Sequence, residues 1–374
     1  MENCTLPREL LIEILARLPV NSLMRFKSVC KFFYCLIKSD HHFQHKHYEI
    51  SQVRRDYAVF GPECSFTPRV FGLVYKELDS DEMGYVDLVM PSSEIDFVKC
   101  VDGILCLVSV RTGGTKNILI WNPSTREIKE LPPISTPHSC RGLKEMIGFG
   151  FCNNMTGKVV IVWSGSDECE HKVMVCSQVD NIWVWREINP YPHFAHLWAR
   201  LWVRPYQDIY FKGKYYWNFY AYDERGLFKP YLLWFDFSAE IFGKIRMPSN
   251  PPGQYGNERG YLLHAVVSVM NDTIAYLGYH KKRWEVWLMM QNGSDVNWHK
   301  YACIDRPREV LRPKRIWNQD RHVLIYRMGP KIDDRDPHLV SIDLVTGEIK
   351  MRIDNINIHP DQFFLAYNES LKMF

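Results

Sequence analysis

The chain has 374 residues, 46% hydrophobic, 14% aromatic and 24% charged, which is the composition of a globular protein and excludes a disordered or fibrous one. Forty-six Lys and Arg against 43 Asp and Glu give a formal charge of +3, so no global charge imbalance points to nucleic acid or an anionic membrane. The first residues lack the basic-then-apolar run of a secretory signal, and apolar stretches such as Leu262–Val267 are strand-sized. The eleven cysteines form no Cys-x-x-Cys pair, so the expectation is reduced thiols in the cytoplasm or nucleus and no membrane span.

The first fifty residues contain no tryptophan and read as helices. Leu10, Ile14 and Leu18 fall at i, i+4, i+8, Leu11 and Leu15 mark a neighbouring stripe, and Ile12 points a third way. This helix is apolar around more of its circumference than a surface helix needs. Pro7 suits its first turn and Pro19 stops it. A second amphipathic stretch follows through Leu23, Phe26, Val29, Cys30, Phe33, Leu36 and Ile37. A segment of about fifty residues cannot bury this much apolar surface alone. Either a partner covers the surplus, or the helices cap the rest of the chain.

Beyond residue 51 the pattern is strands with turn punctuation. An apolar strand, a polar turn and a second strand recur with turns at Asn122, Asp180, Asp236, Asn292 and Asp343, at steps of 58, 56, 56 and 51 residues. A second kind of hairpin lies between them, at Asp102-Gly103, Lys212-Gly213, Asn271-Asp272 and Gln319-Asp320, each with turn-forming residues between apolar runs. A period near 50–58 residues with about four strands per unit resembles kelch-type propeller blades, and residues 52–374 hold about six such units. A two-sheet sandwich array fits the regular spacing less well.

Catalytic patterns are scarce. There is no Gly-x-Ser-x-Gly, no phosphate loop and no His-Glu-x-x-His, and Gly148-Phe-Gly150 lacks the third glycine of a dinucleotide fingerprint. His41, His42, His45 and His47 cluster without a cysteine pair at ligand spacing, so neither a metal nor any other cofactor is expected. The basic run Arg306–Arg321 reads as a solvated connection and not as a nucleic-acid contact. Two acidic loops are candidates for attracting a basic partner: Glu77, Asp79, Asp81 and Glu82 in one, and Asp167, Glu168 and Glu170 in the other.

Leu6-Pro-Arg-Glu-Leu10, Ile14-Leu15-Ala-Arg17-Leu18-Pro19-Val20, Ser22-Leu23-Met-Arg25-Phe26 and Val29-Cys30-Lys31 resemble the F-box, with Phe33 where that family usually has Trp. The remainder is similar to the plant F-box-associated domain. The similarity lies in Cys100–Leu107, Trp121-Asn122-Pro123-Ser-Thr125-Arg126, Gly148-Phe-Gly-Phe151, Phe235-Asp236 with Met247-Pro248, and Asn368-Glu-Ser370-Leu371. Ser22–Lys27 and Val286–Met290 look most like the S-locus F-box proteins of self-incompatible plants.

The resemblance implies an α+β multidomain chain: a small helical F-box at 1–47, then an all-β kelch-like propeller of about six blades at 52–374. It implies a non-catalytic substrate receptor of an SCF ubiquitin ligase. Leu6, Pro7, Leu10, Ile14, Leu15, Leu18, Pro19, Leu23 and Phe26 would meet a Skp-type adaptor and, through it, a cullin scaffold. Some of the nine must instead pack the F-box's own core. The propeller would hold a protein target, in the S-locus case a non-self S-ribonuclease, with the two acidic loops as contacts. The alternative is a stand-alone propeller enzyme or ligand-binding module with a helical cap, and it would leave little bare apolar surface on residues 1–50.

Overall fold

A computed structural model describes residues 6–62, 71–77, 83–137, 144–152, 156–164, 171–189, 202–222, 228–248, 266–280, 283–292, 295–305, 311–316, 322–327, 338–353 and 362–372. Four helices come first: α1 (Arg8–Ala16), α2 (Val20–Phe26), α3 (Lys31–Ser39) and α4 (His41–Arg54). Both prolines act as helix caps, their fixed extended geometry leaving the carbonyl free: Leu11 N–H donates to Pro7 O (3.1 Å), and Ser22 and Leu23 N–H donate to Pro19 O (3.0 and 3.2 Å). The second amphipathic stretch, read as continuous from its periodicity, is broken into α2 and α3. Cys30 is fully extended at φ −157°, and the Ser28 hydroxyl bonds back to Arg25 O (2.8 Å), competing with helix continuation. No helix among the described residues is long and apolar enough to cross a membrane.

The strands form six antiparallel sheets among the described residues. The first takes β1 (Arg55–Pro62), β2 (Gly72–Glu77) and β3 (Met83–Asp87). The second takes β4 (Phe97–Val101), β5 (Ile104–Val110), β6 (Thr115–Asn122) and β7 (Glu127–Glu130), with β8 (Ile134–Ser135) on β6. The third is β9 (Lys144–Cys152), β10 (Thr156–Ser164), β11 (His171–Val179) and β12 (Ile182–Ile188). The fourth is β13 (Trp202–Phe211), β14 (Lys214–Tyr222), β15 (Phe228–Asp236) and β16 (Ile241–Arg246). The fifth is β17 (Val266–Met270), β18 (Thr273–His280), β19 (Arg283–Asn292) and β20 (Asp295–Asp305). The sixth is β21 (Leu311–Ile316), β22 (His322–Arg327), β23 (His338–Asp343) and β24 (Ile349–Ile353).

The last strand, β25 (Gln362–Tyr367), returns to pair with β1 from Tyr57↔Tyr367 to Pro62↔Gln362, and so becomes the innermost strand of the first sheet. The innermost strands β25, β4, β9, β13, β17 and β21 neighbour one another in that order and close a ring. The expected helical segment followed by a propeller is therefore the observed fold.

Turn chemistry accounts for the repeat. Between first and second strands, Asp102-Gly103 (φ 49° and 76°), Lys212-Gly213 (47° and 79°) and Asn271-Asp272 (50° and 55°) are left-handed at both central residues, as tight hairpins on twisted strands require. Between third and fourth strands, the side-chain oxygens of Asn122, Asp236 and Asp343 accept main-chain N–H bonds from the residues two and three positions on, at 2.8–3.3 Å. A left-handed residue then turns the chain: Arg126, Glu240 or Gly347. A short side chain whose carbonyl or carboxylate oxygen lies three bonds from Cα reaches these N–H groups, which is why Asn or Asp recurs there.

The tryptophans join sheets. The indole N–H of Trp185 donates to Pro132 O (2.7 Å), Trp217 to Ile147 O (3.2 Å) and Trp298 to Arg246 O (2.9 Å), each reaching back to the preceding sheet. A large apolar body with one donor suits a packed face that still carries main-chain acceptors. The Gly148-Phe-Gly150 pattern serves the same packing. A Cβ on Gly148 would lie 2.7 Å from the Trp217 ring, and one on Gly150 would lie 2.3 Å from Phe237.

The basic run of the sixth sheet differs from expectation over its described part. Residues 311–316 form the innermost strand β21, where Arg315 is buried and bonds to Tyr57 O, and Lys314 donates to Gln362 O (2.6 Å). These cations satisfy main-chain carbonyls at the ring seam instead of lying in solvent.

Inside the ring, Lys99 on β4 and Asp208 on β13 form an ion pair, with side-chain exposures of 5% and 2%. β9 lies between those strands in the ring, so the pair reaches across its interior. A buried pair is costly to break from one side only, because the survivor loses its counter-charge in a poorly solvated place. Asp208→Ala should therefore destabilise the propeller by roughly 3–5 kcal/mol, while Lys99→Met with Asp208→Leu should recover most of that loss. Comparing the thermal midpoints of the single and double variants checks this.

Candidate functional site

The helical unit has its own core of Leu15, Ala16, Val20, Leu23, Leu36, Ile37 and Phe43, all at most 3% exposed. It is tied by polar bonds that leave one side bare. Gln44 Nε2 donates to Ile37 O and Lys38 O, both at 3.0 Å, and the His47 ring bonds to Leu18 O (2.9 Å). Glu13 on α1 receives Lys46 from α4, and Arg17 at 2.7 Å. The Lys46 bond first, and then that of Arg17, hold the Glu13 carboxyl below its ordinary range. His47 is thus a buried structural residue, whereas His41, His42 and His45 are exposed.

The bare side is apolar. Leu6, Leu10 and Ile14 form one stripe along α1, exposed by 53%, 52% and 48%. Phe26, Val29 and Phe32 continue it at the α2–α3 break, with the Phe33 ring joining Phe26 and Phe32 at centroid distances of 5.7 and 5.6 Å. The Arg8 guanidinium lies 5.8 Å above Phe32, linking α1 to α3. Next to it a cleft of about 390 Å³ opens between Arg8, Phe32, Cys35, Leu36 and Asp40. Arg25 on α2 and Lys31 and Lys38 on α3 are exposed. The Tyr34 hydroxyl, 3.0 Å from Lys38, raises that ammonium above its usual range and keeps it charged.

The nine residues singled out on the helices therefore divide. Leu6, Pro7, Leu10, Ile14, Pro19 and Phe26 are open, Leu18 is half-buried, and Leu15 and Leu23 are inside. Sequence reading missed Phe32, although adjacent Phe32 and Phe33 cannot both face one side of a helix. It also missed Leu371, which lies at 0% exposure within the helical core.

Of the acidic loop residues, Asp79, Asp81, Glu82, Asp167, Glu168 and Glu170 lie outside the described residues, and Glu77 ends β2. Glu77 pairs with Arg55, where α4 runs into β1, so the β2 end is on the helix face. Ser164 pairs with Lys144, the opposite end of β9 from Phe151, and Phe151 lies under Lys372 on the helix face. The β10 end is therefore on the far face.

Residues 4–45 match the F-box domain and residues 79–352 match the F-box associated beta propeller domain; the chain belongs to this F-box-associated propeller family. A putative F-box protein of Arabidopsis thaliana is 27% identical over 245 residues, covering 64% of this chain and 61% of the relative. A putative F-box/kelch-repeat protein of the same plant is 24% identical over 331 residues, covering 82% of this chain and 78% of the relative. Another putative F-box protein of that plant is 23% identical over 385 residues, covering 98% and 96%. Among solved structures, TolB from Acinetobacter baumannii aligns with a TM-score of 0.42 at 12% identity, over 87% of this chain and 73% of that one, too distant to bear on function.

The division into core and bare face has a measurable signature. Leu23→Ala should cost about 2–5 kcal/mol of stability through the cavity it leaves, whereas Leu10→Ala should change it by less than about 0.5 kcal/mol. Thermal melts of the two full-length variants check this.

Proposed function

We propose that the chain is the substrate-recognition subunit of an SCF-type ubiquitin ligase. The observation that carries this is the exposed stripe of Leu6, Leu10 and Ile14 with Phe26, on helices whose core is already filled by their own side chains and Leu371. A helical cap for a stand-alone enzyme would have turned that stripe onto the propeller. The stripe docks on a Skp-type adaptor, which joins a cullin scaffold, while the propeller holds the target protein. Acceleration comes from raising the local concentration of target beside the ubiquitin-loaded enzyme, and no side-chain chemistry here is required.

The test is co-expression with a Skp-type adaptor, using point variants of the full chain. Truncation before Ser51 is a poor control, because it would expose Leu371. Wild type should co-purify stoichiometrically. Leu10→Asp and Ile14→Asp should lose the adaptor at an unchanged thermal midpoint. Retained co-purification of both variants would overturn the assignment.

The finer reading is that the target is a non-self S-ribonuclease, as the similarity to S-locus F-box proteins implies. Within the phrase Val286–Met290, Val286 and Met289 are blade core and Met290 is half exposed, so it supports the sub-family more than it marks a contact. For a basic target, the acidic segments Glu77–Glu82 and Asp167–Glu170 are the proposed contacts. Reversing their charges should weaken S-ribonuclease binding and flatten its dependence on salt. Titration of each reversal at two ionic strengths checks this. No effect from a reversal would discard that segment as a contact.

A further inference from the structure

The five residues after β25 lie where the helices meet the propeller. Leu371 is enclosed by the helical core, although it belongs to the segment that closes the ring. The Glu369 carbonyl accepts from the Ser51 hydroxyl on α4 at 3.1 Å. The carbonyls of Ser370 and Lys372 each accept from Asn122 Nδ2 at 2.8 Å, and Asn122 is fully buried in the β6–β7 turn. The Lys372 ammonium reaches Asp102 at 2.7 Å and lies 3.9 Å above the Phe151 ring on β9. Asn368 crosses Gly103 so closely that a Cβ there would sit 2.0 Å from the Asn368 oxygen, and Gly103 has φ +76°.

One short segment thus holds the helices, the second sheet and the third sheet at once. The covalent connection between the two parts is a single point, since α4 ends at Arg54 and β1 begins at Arg55. A single point of attachment permits swivelling. Beside a long contact of the Tyr48 hydroxyl on α4 with Asp102 (3.5 Å), a second attachment through Leu371 on one side and Asn122 on the other removes it.

We propose that Asn368–Lys372 is a latch that fixes the angle between the adaptor-docking helices and the propeller, with Leu371 and Asn122 as its positioning residues. The proposal rests on the ligase reading for its purpose: a fixed angle sets where a bound target stands relative to the ubiquitin-loaded enzyme. Asn122 has two separable jobs. Its Oδ1 builds the turn by accepting from Ser124 and Thr125, while its Nδ2 holds the latch. Asn122→Asp keeps the first job and abolishes the second.

The experiment places spin labels on genetically encoded side chains at His42 on α4 and Lys244 on β16 of the full chain. Their distance distribution is read by pulsed dipolar spectroscopy, with and without adaptor. Wild type and Leu371→Met should give one narrow distribution. Leu371→Ser and Asn122→Asp should widen it at least two-fold, with Asn122→Asp still co-purifying with the adaptor. A merely stabilising role would lower the melting temperature and leave the width unchanged. An unchanged width in Asn122→Asp overturns the proposal, including the case where Leu371→Ser fails to fold. If wild type itself fails to bind adaptor, the ligase reading falls, while the width measured on the chain alone still decides whether the latch exists.

Discussion

The pairing of β25 with β1 is the constraint on which the rest of the structure depends. Without β25, the inner edge of β1 would be an unpaired template for wrong pairing and the row of sheets would stay open. Joining Tyr57 to Tyr367 and Val59 to Leu365 pairs that edge and closes the ring. It also brings residues 368–372 to the face from which α4 enters β1, and the inner ring that it completes is the frame within which Lys99 meets Asp208. Closure is thus a fold-level event that sets the relative position of two functional units.

What was legible in the sequence was whatever a local rule dictates. Asn122, Asp236 and Asp343 repeat because the turn needs an acceptor close to the backbone, and Asp102-Gly103 and Lys212-Gly213 were readable because few residues tolerate left-handed geometry at successive positions. The surplus of apolar surface on α1 was visible for the same reason. Its division was not: Ile14 and Leu15 are adjacent and equally apolar, and only the placement of α3 and α4 makes one bare and the other buried. Arg315 was misread because charge was taken as a sign of solvent, whereas the carbonyl of Tyr57 on a strand over 250 positions away satisfies it.

The two halves divide the energetic work in different ways. The propeller spends its aromatic content between sheets, with indoles of Trp185, Trp217 and Trp298 each satisfied on a neighbouring main chain. The helical unit keeps the polar bonds of Gln44 and His47 inside and leaves its outer stripe bare. A receptor of the proposed kind can vary the loops on the far face of its propeller without disturbing the helices, because the latch residues lie on turns of the helix face.

The residues that meet at the latch are made far apart in time. Ser51 and Glu369 are 318 positions apart. At synthesis rates of about 5–20 residues per second, roughly 15 seconds to a minute pass between them on the ribosome. Throughout that interval the emerging helices have an empty socket where Leu371 will sit, beside an apolar stripe that is already bare. The newborn chain is therefore at its stickiest before its last strand exists, and early company for the helices has a value during synthesis that is separate from anything the finished receptor does.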